Sequence, residues 1–393
     1  NKKAGNVKRV APQRRRNQIP DDIVHNEALN SAIALLPANY NFEIHKTVWR
    51  VKSDSAKLVA LQFPEGLLMY ACIIADILEN FADTKVVIMA DVTYGACCID
   101  DFTAKKIGAD LLVHYGHSCL VPVNVTSMKV LYVFVEIAFD TSHLLACFRH
   151  SFAPEARVAL MGTIQFTSAV HQVATELKAD YPHLIVPQAR PLSGGETLGC
   201  TSPLIPDCEA LVFVADGRFH LEAAMIRNPS LQAFRYDPYG KTLTAEGYDT
   251  PRMQGMRWDA IESARGATRF GVILGTLGRQ GSAQIFGRMR KLLRDRDVRD
   301  GKGGVAVKRT AVLFLMAELN PRKIASITGI DAWVQVSCPR LSIDWGKEFT
   351  QPMLTPYEFE VLLGTAEWSD VYPMDYYSGD GGTWTNHGAR SKA

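Results

Sequence analysis

The sequence predicts an α/β protein made of three similar Rossmann-like domains with short parallel sheets, and three observations predict it. Short apolar runs that end in glycine, proline or small polar residues recur along the chain, as buried parallel strands do. Segments with apolar residues at helical spacing lie between these runs, which indicates right-handed strand–helix–strand crossovers. The order strand, helix, strand, turn, strand returns about every 110 residues, as in an internal triplication. Three unrelated α/β segments are the alternative.

The predicted strands fall into three groups, one for each domain. The first group comprises residues 57–66, 85–91, 111–116 and 130–135, the second 157–162, 183–187 and 210–216, and the third 269–275, 309–316 and 332–337. Helical spacing predicts helices at 67–80, 167–177 and 282–293. We therefore expect a basic arm at 1–25, domains at 26–148, 149–265 and 266–362, and a tail at 363–393. The end of the tail is glycine-rich and polar, so it is expected to be flexible or wrapped on the surface.

Basic charge is concentrated at the start of the chain. The first seventeen residues hold seven lysines and arginines and no acid, which leaves 36 basic against 41 acidic residues in the rest. The arm is interpreted as a solubilising extension, with contact to nucleic acid or to an acidic partner as the alternative. The mildly acidic body argues against direct nucleic-acid binding. No apolar run reaches the roughly 18–20 residues of a membrane span, and the start lacks the apolar segment of a secretory signal, so we expect a cytoplasmic protein.

Eight cysteines occur, and no two of them form a CxxC pair, which argues against a zinc ribbon or a thioredoxin motif. Three of them follow predicted strands. Cys97 and Cys200 come after the second strands of the first and second domains, and Cys338 directly follows the third strand of the third. Ligands of open parallel sheets bind beyond the carboxyl ends of the strands. Domains arranged around a pseudo-threefold axis would bring these three thiols together.

Three converging thiolates suit a [4Fe–4S] cluster, which four ligands normally hold, so one iron would be left open to substrate. Zinc bound by three cysteines and a water molecule is a competing interpretation. Buried and inert cysteines are the third interpretation, because free cysteine is commonly buried. The spacing of the cysteines alone does not decide among the three.

Six motifs, in order along the chain, resemble those of diphthamide synthases. They are Gly95-Ala-Cys-Cys-Ile-Asp-Asp101, Tyr115-Gly-His-Ser-Cys-Leu120, Asp216-Gly-Arg-Phe-His220, Tyr236-Asp-Pro-Tyr-Gly240, Gly275-Thr-Leu-Gly-Arg-Gln-Gly281 and Val336-Ser-Cys-Pro-Arg-Leu-Ser-Ile-Asp-Trp-Gly346. The resemblance covers about residues 20–375, which is nearly everything but the basic arm and the end of the tail. It implies a fold of three domains in which one cysteine of each domain binds a [4Fe–4S] cluster.

The resemblance also implies which cysteines are the ligands. They are Cys97, the cysteine that follows Gly-Ala, rather than Cys98, together with Cys200 and Cys338. Cys119 lies in a family motif but is not carried over as a ligand. Because all three ligands are present, the resemblance favours the catalytic subunit of the family over its partner.

The implied activity is the first step of diphthamide biosynthesis. In a non-conventional radical reaction, a 3-amino-3-carboxypropyl group would move from S-adenosylmethionine to imidazole C2 of a histidine in translation elongation factor 2. The implied partners are a second synthase subunit in a heterodimer and a small iron-binding electron donor. Two other functions remain open at this point. One is a non-catalytic iron–sulfur partner subunit that relays electrons, and the other is a metal-free nucleotide-binding enzyme that uses residues 275–281.

Weaker signals suggest residues for binding S-adenosylmethionine. Gly278, Arg279 and Gln280 lie in a glycine-rich turn before a predicted helix, which suits an anion such as a carboxylate, although a tight structural turn is equally compatible. Arg340 and Asp344 follow Cys338 and would bind the carboxylate and ammonium of the substrate, with an ion pair as the alternative. His220 is either a polar neighbour of the site or a loop histidine.

Overall fold

The structure is a computed structural model that describes residues 19–295, 309–386 and 388. Most of the predicted basic arm, residues 1–18, lies outside the described residues. The folded part begins earlier than expected, because Ile23 is buried in the first hydrophobic core rather than in an arm that ends at residue 25. None of the helices in the described ranges has the length and hydropathy of a membrane-spanning helix.

The elements follow one another in three batches along the chain. The first batch is α1 (Asp21–Val24), α2 (Glu27–Ile33), β1 (Tyr40–Asn41), α3 (Ile44–Asp54), β2 (Leu58–Gln62), α4 (Ala71–Ala82), β3 (Lys85–Met89), α5 (Asp101–Lys106), β4 (Leu111–Tyr115), β5 (Lys129–Val133), β6 (Glu136–Ile137) and α6 (Ser142–Ser151). The second is β7 (Val158–Gly162), α7 (Thr167–Leu177), β8 (Ala210–Val214), α8 (Phe219–Arg227), β9 (Gln232–Asp237), β10 (Thr242–Glu246) and α9 (Thr250–Ala264). The third is β11 (Arg269–Gly275), α10 (Ala283–Asp295), β12 (Thr310–Met316), α11 (Pro321–Ala325), β13 (Ala332–Val336), α12 (Arg340–Trp345), β14 (Met353–Leu354) and α13 (Pro356–Leu362). Short 3₁₀ turns occur at Glu65–Tyr70, Ala96–Cys98, Ile164–Phe166 and Gly346–Glu348.

Each batch builds one four-stranded sheet, and β1 and β6 form a separate antiparallel pair. The first four-stranded sheet has the order β3-β2-β4-β5 and the third β12-β11-β13-β14, with every neighbouring pair parallel. The second has the order β7-β8-β9-β10, with parallel bridges from Ile185 to Ala159 and from Glu196 to Gly162 on the outer side of β7. In all three units, the strand that comes first in the sequence therefore lies between the second and the third extended segments of its unit. The predicted α/β fold class of repeated Rossmann-like units is confirmed, while the domain boundaries at 148/149 and 265/266 stay predictions.

The second unit departs from the sequence prediction in two ways. Residues 183–187 are not a strand but only the bridge at Ile185, and Pro187 at the end of this run has no N–H to donate to a ladder. The sequence analysis also missed β9 and β10, which pair antiparallel around the turn that contains Tyr239 and Gly240. A hairpin of this kind gives no strand–helix–strand signal, because no helix separates its strands.

An acidic residue before an inner strand repeats in the three units and supports the triplication. Asp110 precedes β4 and accepts hydrogen bonds from the backbone N–H groups of Lys57 and Leu58 at 2.7 and 3.0 Å. Asp331 precedes β13 and accepts from Thr268 and Arg269 at 2.9 and 2.8 Å. Glu209 precedes β8 and accepts from Arg157 at 3.3 Å. Each carboxylate thus satisfies the free backbone donors where the first strand of its unit begins.

One hydrophobic cluster contains residues from all three units, and the candidate site lies at this cluster. Ala96 and Leu120 come from the first unit, Leu192 and Cys200 from the second, and Val336 from the third. Tyr376 and Tyr377 complete this cluster. They belong to the C-terminal segment, which is the part of the chain that follows α13.

The C-terminal segment is not the flexible or surface-wrapped tail that we expected. Tyr376 and Tyr377 are buried in the cluster shared by the three units, and Tyr372 packs beneath α13 against Tyr357. Thr385, inside the glycine-rich run, is fully buried. The sequence reasoning gave weight to the glycines, whereas the tyrosines that flank them determine where the segment packs.

Candidate metal centre

The Cys97 loop is held by the glycine-rich turn of the third unit. After β3 the chain reaches the 3₁₀ turn Ala96–Cys98, and the carbonyl of Cys97 accepts a hydrogen bond from the N–H of Arg279 at 2.8 Å. Gly278 has a φ of +54°, and a Cβ added there would lie 2.4 Å from the carbonyl oxygen of Cys98. Only glycine allows this close approach. The turn predicted to bind an anion therefore packs against the cysteine loop.

The side chain of Arg279 fixes the same loop. Its guanidinium donates two hydrogen bonds of 2.7 Å to the carboxylate of Asp101, which is fully buried at the start of α5, and it stacks on the Phe102 ring at 4.0 Å. Burial alone would raise the pKa of Asp101, but the hydrogen bonds from Arg279 and Ser127 outweigh it and lower the pKa. Arg279 was predicted to bind the carboxylate of a substrate. The carboxylate it binds here is one of this chain's own.

Cys200 lies in a tight loop beside the C-terminal segment. The loop is closed by an antiparallel bridge between Leu198 and Thr201, and the Thr201 hydroxyl donates to the Cys200 sulfur at 3.7 Å. The N–H of Tyr376 donates to the carbonyl of Cys200 at 3.3 Å. The Cys200 side chain is 8% exposed, so solvent reaches it poorly.

Cys338 ends β13 and begins the turn into α12. Its carbonyl accepts hydrogen bonds from the Gln335 side chain at 2.9 Å and from the N–H of Leu341 at 3.0 Å. A pocket of about 520 Å³ opens beside this cysteine. Gln280, Arg340 and Asp344 line the pocket, as do three exposed aromatic side chains, Tyr94, Phe219 and Trp345.

The three thiols are close enough to influence one another. The pKa of Cys97 is raised well above its ordinary value, first by a hydrogen bond with Cys98 and by burial, and then by the neighbouring thiols of Cys200 and Cys338. Burial followed by the proximity of Cys338 raises the pKa of Cys200, and burial raises the pKa of Cys338 to about 11. A thiolate at one position disfavours a second beside it. The structure thus brings together the three cysteines that the sequence singled out.

The surroundings of the thiols match a polar group larger than one metal ion. Within residues 19–295, 309–386 and 388, no group of three or more His, Cys, Asp or Glu side chains converges as the ligands of a single ion do. A mononuclear zinc needs such convergence, whereas each thiolate of an iron–sulfur cluster binds a different iron. Buried polar atoms that find no partner among the described residues also occur in these loops. They include Ser118 Oγ, Glu196 Oε1, Thr197 Oγ1 and Tyr376 Oη.

Arg340 is buried and already carries two acidic partners. Its Nε donates to both oxygens of Asp344 at 2.9 Å, and its Nη2 donates to Glu222 at 2.6 Å. The guanidinium also stacks on the Phe219 ring at 4.4 Å. The ion pair weighed from the sequence is therefore present, but it lies in the wall of the pocket rather than on the surface. Burial raises the pKa of Asp344 despite this pairing.

His220 belongs to a group of histidines near the pocket wall. Burial, and then the charge of Arg340, lowers the pKa of His220 to about 4. Burial and the proximity of His220 lower the pKa of His117 to about 3. His117 is hydrogen-bonded to His114 at 3.2 Å, and His114 to the Gln62 side chain at 2.9 Å. The sequence analysis missed this row, although His117 stands within one of the quoted motifs.

The remaining cysteines of the motifs differ in position. Cys98 is buried and hydrogen-bonded to Cys97, and its backbone carbonyl accepts from the Gln62 side chain at 3.0 Å. Cys119 is exposed. The thiol of Cys98 also raises the pKa of Cys338, and the Cys98 carbonyl lies against Gly278, so Cys98 approaches the third unit as Cys97 does.

Comparisons with known proteins agree on one family. The family model described as "Putative diphthamide synthesis protein" matches residues 63–373. The chain is 52% identical to 2-(3-amino-3-carboxypropyl)histidine synthase subunit 1 of Mus musculus over 98% of this chain and 86% of that protein. It is 53% identical to the Homo sapiens protein of the same name over 95% of this chain and 83% of that protein.

Two solved structures share the fold. A crystal structure of Dph2 from Pyrococcus horikoshii matches with a TM-score of 0.68 and 26% identity over 84% of this chain and 92% of that chain. A second crystal structure of the same protein, which contains a 4Fe-4S cluster, matches with a TM-score of 0.70 and 27% identity over 86% of this chain and 94% of that chain.

Proposed function

The chain belongs to the family of diphthamide synthesis proteins, and from that premise we propose that it is the catalytic subunit of the first step. It would transfer the 3-amino-3-carboxypropyl group of S-adenosylmethionine to imidazole C2 of a histidine in translation elongation factor 2. The observation that carries the proposal is the meeting of Cys97, Cys200 and Cys338, one from each unit, in a buried polar setting.

In this proposal the three cysteines hold a [4Fe–4S] cluster. The related Dph2 structure with a 4Fe-4S cluster supports this assignment, and so do the mutual effects of the three thiols on their pKa values. When bound, such a cluster supplies the electron that breaks the bond between the sulfonium and the γ-carbon of the methionine portion. Three protein thiolates leave one of the four irons without a protein ligand.

The pocket beside Cys338 is the proposed site of S-adenosylmethionine. Among the described residues that line the pocket, Glu318 and Asp344 carry carboxylates and Arg340 carries the single guanidinium, so the wall has an excess of negative charge. A substrate with a sulfonium, an ammonium and one carboxylate has a net positive charge and complements that wall. The volume of about 520 Å³ is in the range of small-molecule sites.

The chain's own groups would position the substrate. Rings of Tyr94, Phe219 and Trp345 around the pocket offer faces to a sulfonium cation. Gln280 is held by the Ser337 hydroxyl and lines the same pocket, where its side-chain amide is a candidate for the substrate's polar groups. His220 adds no positive charge near pH 7, because its pKa is lowered. Holding the substrate in one orientation decides which of its bonds is exposed to reaction.

The partners complete the proposal. The relatives are named as subunit 1 of a synthase, which supports a second synthase subunit in a heterodimer. A small iron-binding protein would supply electrons, and the elongation-factor substrate implies a cytoplasmic reaction.

The decisive experiment is a transfer assay without oxygen. The full chain, its partner subunit, a reductant and elongation factor 2 are incubated with S-adenosylmethionine labelled in the aminocarboxypropyl carbons. We expect the label in one histidine of the elongation factor, and we expect Cys338→Ala of this chain to abolish it, because a cluster ligand is lost. Undiminished labelling with Cys338→Ala would contradict the proposal, because neither a catalytic cluster nor an electron-relaying cluster could then depend on this cysteine. Cys119→Ala is the matched control, since Cys119 is exposed and lies outside the proposed ligand set.

A further inference from the structure

A buried hydroxyl beside the cysteines lacks an acceptor. Tyr376 is 4% exposed, and its hydroxyl forms no hydrogen bond with any residue that the structure describes. Leaving a buried donor without a partner is unfavourable, because the group loses its hydrogen bonds to water and gains none in return. A position of this kind indicates an acceptor that is not part of the chain itself.

Tyr376 packs beside the loop that carries Cys200. The N–H of Tyr376 donates to the carbonyl of Cys200 at 3.3 Å, which ties the residue to the cysteine loop. Cys200 is buried in the same hydrophobic cluster as Tyr376, and Cys97 packs against that cluster. The pKa of Tyr376 is raised well above its ordinary value, first by burial and then by the thiols of Cys200, Cys338 and Cys97.

The neighbouring Tyr377 provides a comparison, because its hydroxyl has a hydrogen-bond acceptor. Tyr377 meets Tyr376 ring edge to ring face, with the centroids 5.1 Å apart at 88°. Its hydroxyl donates to the carbonyl of Gln280 at 3.4 Å, and its N–H donates to the Thr201 hydroxyl at 3.0 Å. The two tyrosines therefore pack in one core, but among the residues that the structure describes only the Tyr377 hydroxyl finds an acceptor.

We propose that the Tyr376 hydroxyl donates a hydrogen bond to a sulfur atom of the cluster held by Cys97, Cys200 and Cys338 and thereby raises its reduction potential. This inference rests on the cluster of the proposed function. Sulfur atoms of iron–sulfur clusters accept hydrogen bonds, and these bonds are among the factors that set the potential. Reduction adds negative charge to the cluster, so a donor stabilises the reduced form more than the oxidised form. Tyr376 would be a positioning residue that makes electron uptake easier.

The test compares two variants that each remove one hydroxyl and keep the ring. The full chain is purified without oxygen as wild type, Tyr376→Phe and Tyr377→Phe, and the midpoint potential is measured by redox titration monitored by electron paramagnetic resonance. We expect Tyr376→Phe to shift the midpoint to more negative values and Tyr377→Phe to leave it nearly unchanged, because the Tyr377 hydroxyl already has an acceptor. The apo form of Tyr376→Phe should be at least as stable as wild type, since it loses only an unsatisfied group.

A second measurement can be made on the wild-type protein alone, and the two variants then serve as its controls. Electron–nuclear double resonance of the reduced wild-type cluster should show an exchangeable proton coupling that is lost in deuterated water. Tyr376→Phe should lack that coupling, while Tyr377→Phe should retain it. If Tyr376→Phe binds no iron, the wild-type spectrum alone tests the inference. A wild-type spectrum without any exchangeable proton coupling would overturn it.

Two other results would also overturn it. They are an unchanged midpoint in Tyr376→Phe, and equal shifts in both variants, which would indicate a general loosening of the core. A wild-type chain that contains no iron and sulfide would instead contradict the proposed function, so the two failures are distinguishable.

Discussion

Arg279 of the third unit and Asp101 of the first form a bidentate ion pair with both hydrogen bonds at 2.7 Å. The carboxylate is fully buried, and the guanidinium side chain is 20% exposed. This pair joins the glycine-rich turn to the helix that follows the Cys97 loop. Four predictions follow from this contact and from others described above.

Arg279→Ala should destabilise the protein strongly, because it leaves the Asp101 carboxylate buried without its cation. We expect the free energy of unfolding of the apo protein in urea to fall by about 3–5 kcal/mol. Arg265→Ala is the control, because its partner Glu262 is exposed and solvent screens such a pair. Equal effects of the two substitutions would show that Asp101 does not depend on Arg279.

Gly278→Ala should displace the Cys97 loop. The new Cβ would lie 2.4 Å from the Cys98 carbonyl, on a backbone with positive φ, and backbone atoms on both sides cannot yield easily. We expect loss of most of the bound iron after anaerobic purification. Gly287→Ala, in the exposed middle of α10 with open space at its Cβ, should instead stabilise the protein by about 0.5–1 kcal/mol. Full iron content in Gly278→Ala would contradict the close contact of the turn with the loop.

The cysteines can be ranked by the iron that each variant holds. Cys97→Ala, Cys200→Ala and Cys338→Ala should each lose the proposed cluster and the transferase activity, because each would remove one of the three proposed protein ligands. Cys98→Ala and Cys119→Ala should have mild effects. The measurement is iron and sulfide content together with the visible absorbance. If Cys98→Ala lost iron while Cys97→Ala kept it, the first ligand would be the adjacent residue.

The stability of the third unit should depend on pH through Asp331. Two backbone N–H groups, of Arg269 and Thr268, lower the pKa of this carboxyl below its ordinary value of 3.8. A lowered pKa in the folded state stabilises the protein above the unfolded value, and this contribution is lost as the pH falls through the folded value. Asp331→Asn should therefore be less stable than wild type near pH 6, by well under about 1 kcal/mol because Asp331 is exposed and solvent screens its charge, and the difference should shrink below about pH 4. Urea unfolding at several pH values measures it, and a difference that stays constant would rule out a role for the ionised form.

Much of the fold follows from local pattern in the sequence. The helix at 167–177 is confirmed residue by residue, because apolar residues at helical spacing need only one face to pack against. The strands around 158–162 and 332–336 are likewise confirmed, since buried parallel strands are continuous apolar runs. The positions of Cys97 and Cys338 after strands could be predicted for the same reason, whereas the segment before Cys200 forms only isolated bridges.

Other features could not be predicted because distant partners determine them. Arg279 and Arg340 are cations in suggestive motifs, but their acidic partners Asp101 and Glu222 lie more than a hundred residues away in the chain. The role of the C-terminal segment was missed because glycine-rich composition predicts flexibility only where no aromatic anchors are present. Tyr376 itself carries no motif, and only its packing beside Cys200 gives it meaning.

Tyr376 lies in the hydrophobic cluster against which Cys97 packs, and this has a consequence for the synthesis of the protein on the ribosome. A ribosome that adds roughly 5–20 residues per second needs on the order of tens of seconds to proceed from the codon of Cys97 to that of Tyr376. During this interval Cys97 is not yet packed together with Cys200, Cys338 and the tyrosines of the C-terminal segment, which partly bury it in the folded protein. Metal loading is therefore expected to follow chain release, and a nascent chain depends on a reducing environment until its last tyrosines have docked.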